Sequence, residues 1–453
     1  HPGFLGINLS YFNTTDEIWK SYRLPERLKA AGIGALRYPG GEETSFFHWR
    51  HPGVNGYEDI WDDPSVWGTS PGRGKFQTTW VAPEIWKSNQ TFMDFDEFMT
   101  ASRNLGAEPI VGLNLSSGRK HDRREEGLQQ ALDWIHYSRD QGYEVTYWFL
   151  DNEPWHHEAN YTFSLDEYIE DCLYFGRAIK EQFPDIKLIA NPASGSNLNK
   201  EWLKKFLSGA GTVIDYIDIH WYWAWGISNF DHWQRETPLT SDDKWRSPPT
   251  QRTYGEDIAM IREACAETGF PDIGVMVLEW NIAPSRESEI FSQSLIAVIQ
   301  AEMLLEFAAN GIEMTALWPL LWQTSRDVWP EQDSFPSIVT AAPPFRPTLS
   351  SDMFRLLANI QGGTVLASES SQKDVVQLVV DCGDTALLYL INKSDLRRKV
   401  SVKWPGLSSD STTTASQIST KLQTPFHTTV QTAKGHLSFF VDPNSFTCVE
   451  IKN

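Results

Sequence analysis

The sequence predicts an α/β chain: a (β/α)8 TIM barrel over residues 1–363, followed by a small all-β sandwich over 364–453. Three observations carry that prediction. Eight short apolar runs alternate with amphipathic, helix-period segments through the barrel region, the count a closed barrel needs. No glycine-rich phosphate loop follows the first run, which argues against a doubly wound open sheet. Past "ANIQGG" the apolar pattern changes to period two, with Ser/Thr-rich turns between runs.

Taken in order, the expected barrel strands are "FLGINLS" (4–10), "ALRYPGG" (35–41), "PIVGLNL" (109–115), "VTYWFLDNE" (145–153), "KLIANPAS" (187–194), "IDYIDIHWYW" (214–223), "GVMVLEWN" (274–281) and "MTALWPLLW" (314–322). Between them lie segments such as "MDFDEFMTASRNLG", "GLQQALDWIHYSRDQG" and "SLDEYIEDCLYFGRAIKEQFP", which stop at Gly or Pro as helices do. Ser164 followed by Glu167 reads as a capping box. The acids of "DFDEF" (94–98) suit a helix N-terminus and need no calcium ion. In the last region "VVQLVVDC", "TALLYLINKS", "KVSVKWPG", "HLSFFVD" and "FTCVEIKN" alternate as half-buried strands.

The formal net charge of −20 argues against nucleic acid and against anionic membrane surfaces as partners. No apolar run has the length of a membrane span, so membrane insertion is not expected. The chain begins at His1 without a methionine, and removal of a leader is expected, with a secreted, periplasmic or cell-surface location; the sequons at Asn8, Asn13, Asn89, Asn114, Asn160 and Asn392 bear on glycosylation only in a eukaryotic source. The four cysteines show no metal spacing; Cys172 and Cys265 read as buried thiols, and Cys382 and Cys448 as a possible pair.

In a barrel of this kind chemistry sits at the C-terminal strand ends. Collected there are Arg37 and Tyr38 (strand 2), Asn114 (strand 3), Asn152 and Glu153 (strand 4), His220 and Tyr222 (strand 6), Glu279 (strand 7) and Trp318 (strand 8). Any one of these alone reads as a solvated terminus or a rim ion pair. Two glutamates converging on one rim suit glycoside cleavage, one carboxyl protonating the leaving oxygen and the other attacking the anomeric carbon or activating water. Alternation places Val275, Val277 and Glu279 on one face of strand 7, hence Glu279 inward. Asn152 and Glu153 have opposite parity, so strand 4 must end or bulge between them.

Of 20 tryptophans, fifteen fall at or beyond these strand ends, among them Trp155, Trp223, Trp280 and Trp318. Indole faces stack on the C–H faces of sugars, which suggests a cleft with several subsites and a polysaccharide or oligosaccharide substrate. The run His156-His157-Glu158 lacks a third ligand at metal spacing, and no metal or organic cofactor is expected.

These residues resemble the clan A retaining glycoside hydrolases: "LDNEP" (150–154) is similar to the clan's Asn-Glu-Pro signature and "LEWN" (278–281) to its nucleophile strand. "LRYPGG" (36–41) is similar to the Arg-x-Pro-Gly-Gly of the family 51 arabinofuranosidases. The combination of "LRYPGG…FFHW", a Trp-rich second loop, "MDFDEFM" and "DIHWYW" looks nearest to family 86, the β-agarases and β-porphyranases. The resemblance implies Glu153 as acid/base, Glu279 as nucleophile and Asn152 as partner of a sugar hydroxyl. It further implies that Arg37 and Tyr222 keep Glu279 ionised, and that Trp318 floors the subsite of the reacting sugar.

The expected activity is therefore a retaining endo-glycoside hydrolase acting on an agar-type galactan. The alternative is an exo-acting α-L-arabinofuranosidase. Two readings from other classes are a non-catalytic carbohydrate-binding barrel and a metal-dependent barrel hydrolase.

Overall fold

The computed structural model describes residues 1–11, 16–50, 61, 93–154, 164–193, 198–223, 230–240, 252–282, 291–321, 335–340, 344–404, 407, 411–422, 424–433 and 435–452. Eight parallel strands close into a barrel in chain order: β1 (Leu5–Asn8), β2 (Ala35–Tyr38), β3 (Glu108–Leu113), β4 (Tyr147–Leu150), β5 (Lys187–Ala190), β6 (Tyr216–Trp223), β7 (Gly274–Ile282) and β8 (Thr315–Leu317). Six lie within their expected apolar runs, and β3 and β7 exceed theirs by one residue, at Glu108 and Ile282. Those runs are apolar on both faces because a barrel strand is buried twice, against the barrel interior and against the helices outside.

Ala35, Ile110, Tyr147, Phe149, Ile189, Met276, Leu278 and Met314 fill the interior. Their neighbours in sequence, such as Leu36, Val111, Trp148, Leu188 and Val277, join the core between strands and helices. On β7 the expected parity is thus reversed: Met276 and Leu278 point inward, while Val275 and Val277 point outward. The reason lies in the pairing. The β7 register shifts against β8 between Val277 and Trp280, and β6 shifts against β7 between Asp218 and His220. That irregularity turns Glu279 to the mouth although simple alternation from Leu278 would not.

The helices form where capping and amphipathic period predict. Ser164 and Glu167 close a capping box at the start of Leu165–Gln182, and Asp94 and Glu97 do the same for Phe95–Leu105. Helix Gln293–Ala309 is predominantly apolar and buried along nearly its whole length, Gln300, Glu302 and Glu306 included. It lies between the barrel and a second β unit, so no face of it needs to meet solvent.

That unit consists of β9 (Thr364–Leu366), β10 (Val375–Asp381), β11 (Thr385–Asn392), β12 (Arg398–Lys403), β13 (Thr412–Ser419), β14 (Phe426–Thr428), β15 (Gln431–Ala433), β16 (His436–Val441) and β17 (Ser445–Lys452). They form an antiparallel sheet of order β14-β13-β17-β11-β10-β9 and a smaller one of order β12-β16-β15. Alternation divides the larger sheet's side chains. Val380, Leu387, Tyr389, Ile391 and Phe446 join the barrel's core, whereas Val379, Leu388, Leu390, Val449 and Ile451 meet Leu437, Phe439 and Val441 of the smaller sheet.

All four cysteines are free thiols, so Cys382 and Cys448 are not paired. Instead Cys382 Sγ donates to Asn359 O and Cys448 Sγ to Leu356 O. Among the described residues no helix is long and apolar enough to cross a membrane.

Candidate active site

The strand pattern builds the site from below. Gly6, Ala35 and Tyr216 sit two or four residues before Asn8, Arg37 and His220 on the same strands, so these mouth residues continue the barrel's own stacking. β4 ends at Leu150, and Asp151 and Glu153 then adopt positive φ of 66° and 43°. This break lets Asn152 and Glu153 serve one site despite their opposite parity. Asp151 anchors the turn: its carboxylate accepts from Ser45 Oγ, Ser116 Oγ and the amides of Leu115, Ser116 and Asn152. Burial pushes its pKa up, and those donors oppose the rise.

His220 lies between the two glutamates. Its Nδ1 is 2.6 Å from Glu153 Oε1 and 3.6 Å from Glu279 Oε2, and its Nε2 is 3.1 Å from Asp218 Oδ2. One donor atom each from Glu153, His220 and Glu279 falls within 4.8 Å of the others. Both ring nitrogens lie within hydrogen-bond distance of a carboxylate oxygen. Burial works against a charged imidazole, but Glu279, Asp218 and Glu153 outweigh it and push His220 up to about 10. An imidazolium donating from both nitrogens therefore links the carboxylates. Asp218 is held in turn by the amide of Leu278, at 2.8 Å on β7.

Glu279 accepts from Tyr222 OH at 2.7 Å on Oε1 and from Arg37 Nη1 at 3.3 Å on Oε2. Burial is the largest influence on it and raises its pKa; the charge of Glu153 adds to the rise, and His220, Arg37 and Tyr222 oppose it. Arg37 and Tyr222 thus act on Glu279 in the expected direction, towards the ionised form, against the opposing effect of burial. Burial and the Glu279 charge also raise the Tyr222 phenol well above its usual range, so it stays a donor.

Arg37 is wholly buried, with its guanidinium 4.3 Å from the centroid of the Phe149 ring. Nη1 also donates to Asn8 Oδ1 at 2.8 Å, and Nη2 to Asn152 Oδ1 at 2.6 Å. Phe149 can lie there because residue 112 is glycine; a Cβ at 112 would come within 2.2 Å of the ring. Trp318 packs on Gly41 beside Glu279: a Cβ on Gly41 would lie 2.9 Å from the indole and 3.4 Å from Glu279 Oε2.

The structure thus brings together Arg37, Asn152, Glu153, His220, Tyr222, Glu279 and Trp318. Three candidates lie elsewhere. Trp223 is fully buried, tilted over His232 and Phe291, with Nε1 donating to Glu236 at 3.0 Å. Trp280 is fully buried outside the barrel, stacked on Phe354 at 6.3 Å. Both follow an inward residue and so face the helices. Asn114 donates to Phe47 O and Ser117 Oγ and accepts from the Ser117 amide, roles that hold a turn rather than face the glutamates. Trp155 and the run His156-His157-Glu158 lie outside the described residues, as does most of the tryptophan-rich second loop.

Two partners were missed, Asn8 and Asp218. Each is a polar residue in an apolar strand at the parity of a site residue: Asn8 pairs with Arg37 across β1 and β2, and Asp218 stands two before His220. That signal was present in the sequence.

Against known proteins, the Alpha-L-arabinofuranosidase 1 domain matches residues 27–237, a stretch that holds Arg37, Asn152, Glu153, His220 and Tyr222. The probable alpha-L-arabinofuranosidase C of Aspergillus fumigatus is 28% identical over 227 residues, covering 44% of this chain and 39% of that protein. The intracellular exo-alpha-(1->5)-L-arabinofuranosidase of Streptomyces lividans is 23% identical over 222 residues, 44% of this chain and 29% of that protein. The chain spans about two fifths or less of the length of these curated relatives. In fold, AbfB, a family 51 alpha-L-arabinofuranosidase from Bifidobacterium longum, superposes with a TM-score of 0.69 at 16% identity, covering 99% of this chain and 96% of that one.

Fold, paired glutamates and matches support one class, a clan A glycoside hydrolase. They do not support family 86 as the nearest relative; the matching domain model and the sequence relatives named here are α-L-arabinofuranosidases.

Proposed function

We propose that the protein is a retaining, exo-acting α-L-arabinofuranosidase that works by double displacement. The observation that carries the chemistry is the convergence of Glu153 and Glu279 on His220, with donor atoms within 4.8 Å. Retaining enzymes hold their two carboxyl groups about 5–5.5 Å apart, whereas inverting ones leave room for a water between them.

Arg37 and His220 supply two positive charges, and Glu153, Glu279 and Asp218 three negative ones. One proton among the three carboxyls brings the buried sum to zero, and the double-displacement scheme places it on Glu153, with Glu279 as the nucleophile. Glu279 attacks the anomeric carbon as the glycosidic C–O bond breaks, and the leaving oxygen takes the Glu153 proton. Water then gives a proton to Glu153 while its oxygen attacks the same carbon, and the ester to Glu279 breaks. Each time one glutamate loses its charge the other gains one, and the imidazolium between them faces a constant total.

The arabinofuranoside reading rests on the matched domain and on relatives whose names carry that activity. The argument for a long cleft also weakens, because Trp49, Trp221, Trp223, Trp233 and Trp280 are buried. Hydrolysis of 4-nitrophenyl α-L-arabinofuranoside, followed by proton NMR of the first-formed sugar, tests the proposal beside agarose, porphyran, arabinan, xylan and β-glucans. Release of arabinose with retained configuration is expected. Oligosaccharides from agarose or porphyran with no arabinoside turnover would overturn it.

A further inference from the structure

A second buried charged cluster lies where the β-sandwich meets the barrel. Lys393 follows β11, and its ammonium is wholly buried with Glu302 of helix Gln293–Ala309, Nζ to Oε1 at 2.7 Å. Nζ also donates to the backbone carbonyl of Glu236 and lies 5.1 Å from the centroid of the Trp233 ring. Trp233 Nε1 donates to the other oxygen of Glu302 at 2.6 Å. On the same short helix, Phe230–Arg235, Gln234 Nε2 donates to Lys393 O, Asp395 Oδ1 and Asn444 Oδ1 at 3.2, 2.9 and 3.1 Å. The sandwich grips the segment after β6 from two sides.

That segment reaches back to the site. Glu236 Oε2 accepts from Trp223 Nε1 at 3.0 Å, while Oε1 meets Thr240 Oγ1 and His232 Nε2. Trp223 ends β6, one residue after Tyr222, whose hydroxyl holds Glu279. A buried lysine–glutamate pair is a poor stabiliser; apolar residues of the same volume often do as well or better. Directional bonds, unlike an apolar contact, fix one docking geometry.

We propose that the β-sandwich positions the nucleophile: Lys393 is a positioning residue that acts through Glu236 and Trp223 on Tyr222, and so on Glu279. The inference rests on the glycosidase reading for the role of Glu279, but the linkage of residues can be tested without it. A displacement near 1 Å at a reacting group costs up to about 100-fold in rate, so slack at Trp223 is enough to be measured.

The test is a double-mutant cycle of Lys393→Met with Tyr222→Phe, with Trp223→Phe replacing the lysine variant should that one not fold. Lys393→Met is expected to lower kcat about 10-fold with KM within about twofold, and to lower it no further once Tyr222 is Phe. Equal kcat losses in both backgrounds overturn the proposal, since a purely structural role would act independently of Tyr222. The Glu279 carboxyl titration, followed by 13C NMR, reads the same coupling with no substrate present. It should move in Lys393→Met or Trp223→Phe when Tyr222 is present and stay put when it is not. A wild type silent on every glycoside would sink the functional reading while this titration still decided the linkage.

Discussion

The barrel mouth and the cluster under the sandwich are built from the same materials and do different things. Each gathers three carboxylates around two basic side chains: Glu153, Glu279 and Asp218 with Arg37 and His220, and Glu236, Glu302 and Glu306 with Lys393 and His232. At the mouth the glutamate side chains keep 13% and 10% of their exposure; under the sandwich Lys393 and Glu302 keep none. In the closed cluster Glu302 is satisfied by Lys393 and Trp233, and Glu306 by the amide of Leu239. At the mouth the two glutamates share one histidine and aim at a common point. Convergence, more than buried charge, separates a reactive cluster from a structural one.

The largest test of that distinction is removal of the glutamates. Glu279→Gln should lower kcat on the order of 10⁴-fold or more, and Glu153→Gln by about 10²–10⁴-fold, with urea midpoints close to wild type. Steady-state kinetics beside urea titration would break the comparison if either variant kept near-normal turnover. The closed cluster should answer chiefly in stability, with only the smaller loss of turnover proposed for Lys393. Lys393→Met leaves Glu302 buried without its cation and should cost about 3–5 kcal/mol in urea unfolding. Adding Glu302→Gln should recover much of that loss.

Acidity sharpens the contrast. Burial and then Glu302 push Glu306 up to about 8 from an ordinary 4.5, and His220 rises from 6.5 to about 10. In both cases the folded protein binds the extra proton, so stability falls as pH rises. The windows differ: about 4.5 to 8 for Glu306 and 6.5 to 10 for His220. Glu306→Gln should flatten the lower window and His220→Asn the upper, each on the order of a few kcal/mol in urea titrations across pH. A slope unchanged by Glu306→Gln would remove that carboxyl from the account. The smallest effect should come from the tryptophans' division of labour. Trp280→Phe, in the core, should cost about 1–3 kcal/mol of stability with little change in KM, and Trp318→Phe, buried against Gly41 beside Glu279, should raise KM a few-fold besides costing stability.

The eight strands, the capping box at Ser164 and the alternation of the sandwich were legible because hydrophobic period and capping chemistry are local. Glu153 and Glu279 were legible as polar ends of apolar strands. What failed was whatever depended on register. Trp223 and Trp280 stand at strand ends beside site residues, and only the side on which their neighbours point sends them to the core. The inward turn of Glu279 was expected for the wrong reason, since it depends on a shift in pairing that no single strand encodes. Asn8 and Asp218 were overlooked although their parity marks them. Lys393 could not have been found, because its partners lie 157 and 91 residues away on barrel elements.

The turn after β4 holds Asp151 and Glu153 at positive φ, a conformation that disfavours side chains with a Cβ by roughly 1–2 kcal/mol each. A glycine at 153 would rest there at ease and could pass no proton. Selection for a sturdier molecule and selection for turnover therefore pull in opposite directions on one peptide unit. The barrel has kept the tense arrangement, and the proposed proton donor, Glu153, sits in it.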